Sequence, residues 1–219
     1  MDAAAFVEEL SAANEDILKR LAPAETLVAE SGGDLRLENL LKIALRNELE
    51  ATEIAALWLP STSDVETKLA LARQVGDEAK HYRLIEAHLH ELGVDLTDFN
   101  PLAQGFGPLT AYLETLEDTV ERVAAGQFTR EAIAVVKNQQ FIEFCQAQGH
   151  TATAALYQNT IQQDEEYHHL LGRHLLLRLA TTPEAQERAR QAAARTLELA
   201  EELQHLALTK MGVHHAPGC

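Results

Sequence analysis

Apolar residues recur every three or four positions along most of the chain, which is the spacing of an amphipathic α-helix. Short stretches that contain Gly, Pro, Ser or Asp separate these segments. No run of alternating β-branched residues indicates a sheet. The predicted fold class is therefore all-α, with helices at 2–21, 35–59, 65–92, 108–125, 130–148, 152–180 and about 184–209.

The breaks between these segments predict how the helices are connected. Pro60–Asp64 and Gly149–Thr151 read as turns, Ser31–Asp34 as a break followed by a helix start, and Gly126–Thr129 as a break or kink. The longest predicted irregular segment, 94–107, is long enough to link two helix pairs so that they return parallel. We expect one helical domain over 1–212, with its central bundle at about 35–180, and a flexible tail at 213–219.

Composition and charge narrow the possible partners. Hydrophobic residues make up 46% of the 219 residues, and the net charge is −16. An acidic surface disfavours nucleic acid and anionic membranes as partners. With only two cysteines, Cys145 and Cys219, a disulfide framework is not expected. We expect a cytoplasmic protein without a signal peptide, and an apolar helical surface favours a homodimer.

One short motif occurs twice, as Asp77-Glu78 with His81 and as Asp164-Glu165 with His168. A Glu and a His three residues later share one face of an α-helix, so each pair can hold a metal ion. Glu78 follows Asp64 at the same spacing at which Glu165 follows Thr151, and both of these earlier residues are suited to cap a helix. The two pairs are therefore predicted at similar depths in two long helices.

The helix faces that carry the pairs are otherwise apolar, with Leu71, Val75 and Ile85 beside the first pair and Ile161, Leu171 and Leu175 beside the second. Both pairs are thus predicted to point into the core, where an uncompensated carboxylate is unfavourable. Either a metal cluster or a set of buried salt bridges can neutralise them. These faces hold few Arg or Lys residues, which favours the metal.

Two Glu-x-x-His helices with a single Glu on each of two other helices resemble the ferritin-like di-iron carboxylate proteins, which include rubrerythrin and di-iron oxygenases. The resemblance covers about 35–180 and implies a ferritin-like four-helix bundle with additional N- and C-terminal helices. It implies two Fe or Mn ions, bridged by the Glu of each motif and bound terminally by each His. The implied ligands in the motifs are Glu78, His81, Glu165 and His168, and the implied residues that orient the histidines are Asp77 and Asp164.

For each of the two remaining ligands, the sequence offers more than one candidate. In the first helix pair we favour Glu50, which shares a face with apolar residues, with Glu48 second and Glu53 on a more polar face. In the second pair we favour Glu143, whose surrounding segment resembles the one that carries a ligand in the oxygenases. Glu131 reads as too far before Glu165 in the sequence for so short a turn.

The resemblance implies an oxidoreductase that activates O2 or peroxide and acts on a small organic substrate. One alternative is a metal-handling protein for iron oxidation, iron storage or peroxide removal. The other is a helical interaction module with a vestigial site.

Overall fold

The computed structural model describes residues 1–22 and 35–210, with side chains described as far as position 203. Within these residues the regular structure is entirely helical and contains no strand, so the all-α prediction is confirmed for the described part of the chain. The expected break at Ser31–Asp34 and the expected tail at 213–219 lie outside the described residues. No described helix combines the length and the apolarity needed to cross a membrane.

Nine α-helices and two π-helical segments make up the described regular structure. The segment π1, Ala124–Arg130, joins α5 (Thr119–Val123) to α6 (Glu131–Ala147), and π2, Tyr157–Ile161, joins α7 (Thr151–Leu156) to α8 (Gln162–Leu179). The helix therefore continues through the predicted break at Gly126–Thr129. The α-helices are α1 Ala3–Leu21, α2 Leu37–Ser61, α3 Val65–Glu91, α4 Pro108–Glu114, α5 Thr119–Val123, α6 Glu131–Ala147, α7 Thr151–Leu156, α8 Gln162–Leu179 and α9 Pro183–Lys210.

Two long helical hairpins form the centre of the molecule. In the first, α2 packs along α3, and Asp64 caps α3 by accepting a hydrogen bond from the Thr67 backbone N–H at 2.8 Å. In the second, α6 turns at Gly149 into α7, π2 and α8; the φ of +79° at Gly149 is a conformation that favours glycine. The helices α1 and α9 pack against each other; α1 also packs against α6 and α8, and α9 packs against π1.

The apolar core is divided by a layer of buried polar side chains. Along α2, Leu41 and Leu45 belong to one apolar cluster and Ile54 and Trp58 to another, and the buried Glu48 lies between them in sequence. In α3 the motif residues likewise lie between Leu71 of one cluster and Ile85 of the other. Glu165 and His168 of α8 lie between Ile161 of π2 and Leu175, and Glu131 begins α6 directly after π1.

The second hairpin is held together by an unusually close backbone contact. A Cβ atom placed on Gly172 of α8 would lie 2.5 Å from the carbonyl carbon of Gln127 and 2.6 Å from the amide nitrogen of Phe128, both in π1. Because both atoms are backbone, neither can move aside as the end of a flexible side chain would. Gly172 therefore lets α8 approach π1 at the point where the chain enters α6.

We expect Gly172→Ala to destabilise the protein by about 3 kcal/mol, since the added methyl group forces two backbones apart. Gly76→Ala in α3 is the matched control, because a Cβ there meets no atom within 4 Å. That substitution should stabilise the protein by about 0.5–1 kcal/mol through helix propensity. Urea unfolding of both variants measures the difference; equal midpoints would contradict the close contact.

The Cys145 thiol is expected to be unreactive in the folded protein. The side chain is fully buried, and burial raises the pKa of the thiol to about 12. Since the thiolate is the reactive form, little of it exists at pH 8. In a Cys219→Ser variant, a chromogenic disulfide reagent should therefore label one thiol in denaturant and none in native buffer. Rapid native labelling would disprove the buried placement.

Candidate metal centre

Six buried acidic and imidazole side chains converge between the two hairpins. They form two groups of four, and within each group the possible ligand atoms lie within 4.8 Å of one another. Glu78 and Glu165 belong to both groups, which makes one continuous cluster with two positions for an ion. The first group is Glu48, Glu78, His81 and Glu165, and the second is Glu78, Glu131, Glu165 and His168.

Both histidines are held so that Nε2 contacts an aspartate outside the cluster and Nδ1 faces the glutamates of the cluster. The Nε2 atom of His81 lies 3.0 Å from Asp164, and that of His168 lies 3.1 Å from Asp77. An ionised aspartate only accepts hydrogen bonds, so each Nε2 carries the proton that is donated. The Nδ1 atom of each ring is thereby directed to the cluster, at 3.3 Å from Glu78 for His81.

Several ligand atoms in the cluster have no hydrogen-bond partner among the described residues. These atoms are buried, where a polar atom without a partner is unfavourable. They surround the two positions where an ion would lie, and they are of the carboxylate-oxygen and imidazole-nitrogen types that bind divalent metals. The atoms are Glu48 Oε1, His81 Nδ1, Glu131 Oε2, Glu165 Oε2 and His168 Nδ1.

Shifted pKa values of the clustered side chains reduce the net charge of the cluster. Burial raises the pKa of Glu48 to about 7, and burial together with the neighbouring Glu78 charge raises the pKa of Glu165. Burial disfavours the charged rings as well, but the carboxylates outweigh it and raise the pKa of His81 to about 12 and that of His168 to about 9. These directions favour protonated imidazoles beside the carboxylates, which reduces the net negative charge of the cluster.

The surroundings of Glu78 favour its ionised form. Burial acts to raise its pKa, but the His81 ring, whose Nδ1 lies 3.3 Å from Glu78, and the positive charges of His168, His81 and Arg130 lower it well below the usual value. Glu78 therefore remains available as an anionic ligand at neutral pH.

Two further side chains support the Glu131 end of the cluster. Gln74 donates to Glu131 at 2.6 Å and to Glu78 at 3.2 Å, and it accepts from Gln127 of π1 at 3.1 Å. Arg130 donates to Glu131 at 3.0 Å. Beside them lies a cavity of about 10 Å³, lined by Trp58, Glu131 and others, which is roughly the room that one water molecule needs.

The structure brings together all four residues of the repeated motif, Glu78, His81, Glu165 and His168. The two other carboxylates of the cluster are not the ones that the sequence favours. Those two are Glu48, the second choice in α2, and Glu131, which sequence spacing sets aside. Glu53 is exposed on α2.

Glu50 and Glu143 lie outside the cluster. Glu50 is buried on another side of α2, where it accepts hydrogen bonds from Arg46, from the Gly107 backbone N–H and from Thr110. It thereby attaches the start of α4 to the first hairpin. Glu143 is exposed on α6 and accepts a hydrogen bond from Gln139.

A symmetry of the two hairpins could have located both residues. Glu48 and Glu78 are equally far in sequence from position 63, inside the first turn, and Glu131 and Glu165 are equally far from position 148, where the second turn begins. Two residues that face each other in a helical hairpin must be about equally far from its turn. The longer arms of the second hairpin explain why Glu131 is not too distant from Glu165, and π2 absorbs an extra residue in one of them.

Asp77 and Asp164 form hydrogen bonds with the histidines in a crossed arrangement. Each aspartate contacts the histidine of the other motif, on the other carrier helix. Two polar contacts therefore connect α3 to α8 directly above the cluster.

No family model matches the sequence, and no curated protein matches it. Among solved structures, the chain is similar to the X-ray structure of a TenA homologue from Pyrococcus furiosus, with a TM-score of 0.66 and 19% sequence identity. The similarity covers 92% of this chain and 99% of that chain. At this identity the comparison shows a shared helical fold.

The expected membership of the ferritin-like di-iron proteins is wrong, because the structural neighbour is a TenA homologue. The function inferred from that membership, an oxidoreductase that activates O2 or peroxide, is therefore also wrong. The physical reason is that a Glu-x-x-His pair reports only which residues share a helix face. Two facing helices in different helical folds can present the same pairs.

Proposed function

We propose that the protein binds two divalent metal ions between its central hairpins. The observation that carries the proposal is the pair of four-residue groups that share Glu78 and Glu165, with several ligand atoms that have no hydrogen-bond partner among the described residues. Glu48 and His81 would complete one position, and Glu131 and His168 the other. Glu78 and Glu165, which belong to both groups, would contact both ions.

The chemistry of the ligands favours particular metals. Four carboxylates and two imidazoles form an oxygen-rich set that suits iron or manganese better than a thiolate-binding metal. When bound, a pair of adjacent divalent ions acts as a Lewis acid toward an oxygen atom of a further ligand. The protein residues supply the charge balance, fix both imidazole rings through Asp77 and Asp164, and exclude bulk water by burial.

We expect metal binding to stabilise the fold, because the ions replace protons and relieve the repulsion between buried carboxylates. At a free Mn(II) concentration of one hundred times Kd, the gain is about 2.7 kcal/mol for each site. Differential scanning calorimetry with and without Mn(II) should show a higher Tm in the wild type. A Glu78→Gln, Glu165→Gln variant, which keeps the shape of both side chains, should show no increase.

The stoichiometry gives the decisive control for this experiment. Calorimetric titration of protein stripped with a chelator should reach two Mn(II) or Fe(II) ions per chain, with Fe(II) added under anaerobic conditions. If the wild type binds neither metal, the cluster is a buried polar network and the proposal fails.

A second test separates the carboxylates of the cluster from their near neighbours. Glu131→Gln should lower the affinity for one of the two ions by about tenfold or more, since a ligand is lost. Glu143→Gln is the matched control on the same helix, and it should leave both affinities unchanged because Glu143 is exposed. Equal losses in both variants, measured by Mn(II) titration, would contradict the ligand set.

A further inference from the structure

A single lysine contacts both of the aspartates that hold the histidines. The Nζ atom of Lys80 lies 2.5 Å from Oδ2 of Asp164 and 3.7 Å from Oδ1 of Asp77. Lys80 is one residue before His81 on α3, and its side chain is 44% exposed, so it covers the cluster from the solvent side. One ammonium group is thus shared by two carboxylates that come from different helices.

The two aspartates differ in how much they depend on Lys80. Asp77 also pairs with Arg73, whose Nε lies 3.2 Å from Oδ2, and the Arg73 guanidinium stacks on the Tyr167 ring at 3.8 Å. Among the described residues, the cationic partners of Asp164 are Lys80 and His81 alone. Without Lys80, Asp77 therefore keeps a cation that also contacts α8, whereas Asp164 keeps only the ring that it orients.

We propose that Lys80 is a positioning residue for both metal positions, and chiefly for the one that contains His81. The ammonium group holds the two aspartates at a fixed separation while each aspartate holds the ring of the opposite helix. Removing the ammonium frees Asp164 to rotate away from His81, which then loses the orientation that directs Nδ1 to the cluster. The His168 ring is less affected because Arg73 still fixes Asp77. This inference rests on the proposed metal binding.

Co(II) titration followed by visible absorption tests the inference, because the spectrum reports ligand geometry as well as occupancy. Asp164→Asn and Asp77→Asn provide reference spectra for disturbance of the His81 position and of the His168 position. Lys80→Met should weaken the His81 position by about tenfold or more and the His168 position less, with spectral changes that follow Asp164→Asn. Arg73→Met should instead affect the His168 position.

Two further variants exclude a general effect of lost charge. Arg83→Met removes an exposed cation from the same helix and should bind Co(II) as the wild type does. Lys80→Arg keeps a cation between the aspartates and should restore affinity to within about threefold, since arginine also pairs with carboxylates.

The possible failures are distinguishable. If the wild type binds two Co(II) ions and Lys80→Met matches it in affinity and spectrum, Lys80 has no positioning role and only this inference is overturned. If Lys80→Met and Arg83→Met weaken binding equally, the effect is one of overall charge, and the inference is again overturned. If the wild type binds no Co(II), the proposed metal binding fails and the inference fails with it.

Discussion

Four carboxylates buried within a few ångströms of one another impose the main physical constraint on this molecule. Water does not screen them, so their repulsion must be balanced by cations or by protons. The cationic Arg130, the raised pKa values of His81 and His168, and the raised pKa values of Glu48 and Glu165 all act to reduce this repulsion. The two apolar clusters enclose this layer and bring the acidic residues together despite the cost.

The same constraint explains the arrangement of the surrounding polar groups. Gln74 and Arg130 donate hydrogen bonds to carboxylates of the cluster, and Asp77 and Asp164 accept them from its imidazoles. These contacts set which atoms remain free at the centre. The Nδ1 atoms of His81 and His168 are thereby held facing the carboxylates of the cluster.

Sequence reasoning predicted what depends on local geometry. The helical class follows from the apolar period, and the convergence of Glu78, His81, Glu165 and His168 follows from two pairs at equal depth in amphipathic helices. What it missed depends on register between helices. Glu48 and Glu50 both read as apolar-face residues, and the helical period alone does not separate them; distance from the turn does, and in the structure Glu48 joins the cluster while Glu50 binds the start of α4. The apolar period of a helix does not predict the extra residues that the π segments contain. The wider fold depends on how α1 and α9 pack, and the repeated motif carries no information about that packing.

The contact between Gly172 and π1 has a consequence for how tolerant the site is to change elsewhere. Where side chains separate two helices, a substitution in the core alters their spacing. Here peptide groups meet directly, about one helical turn beyond His168 and one turn before Glu131. The distance between His168 and Glu131 is therefore set by the backbone contact itself. Substitutions that repack the apolar clusters can leave this distance unchanged.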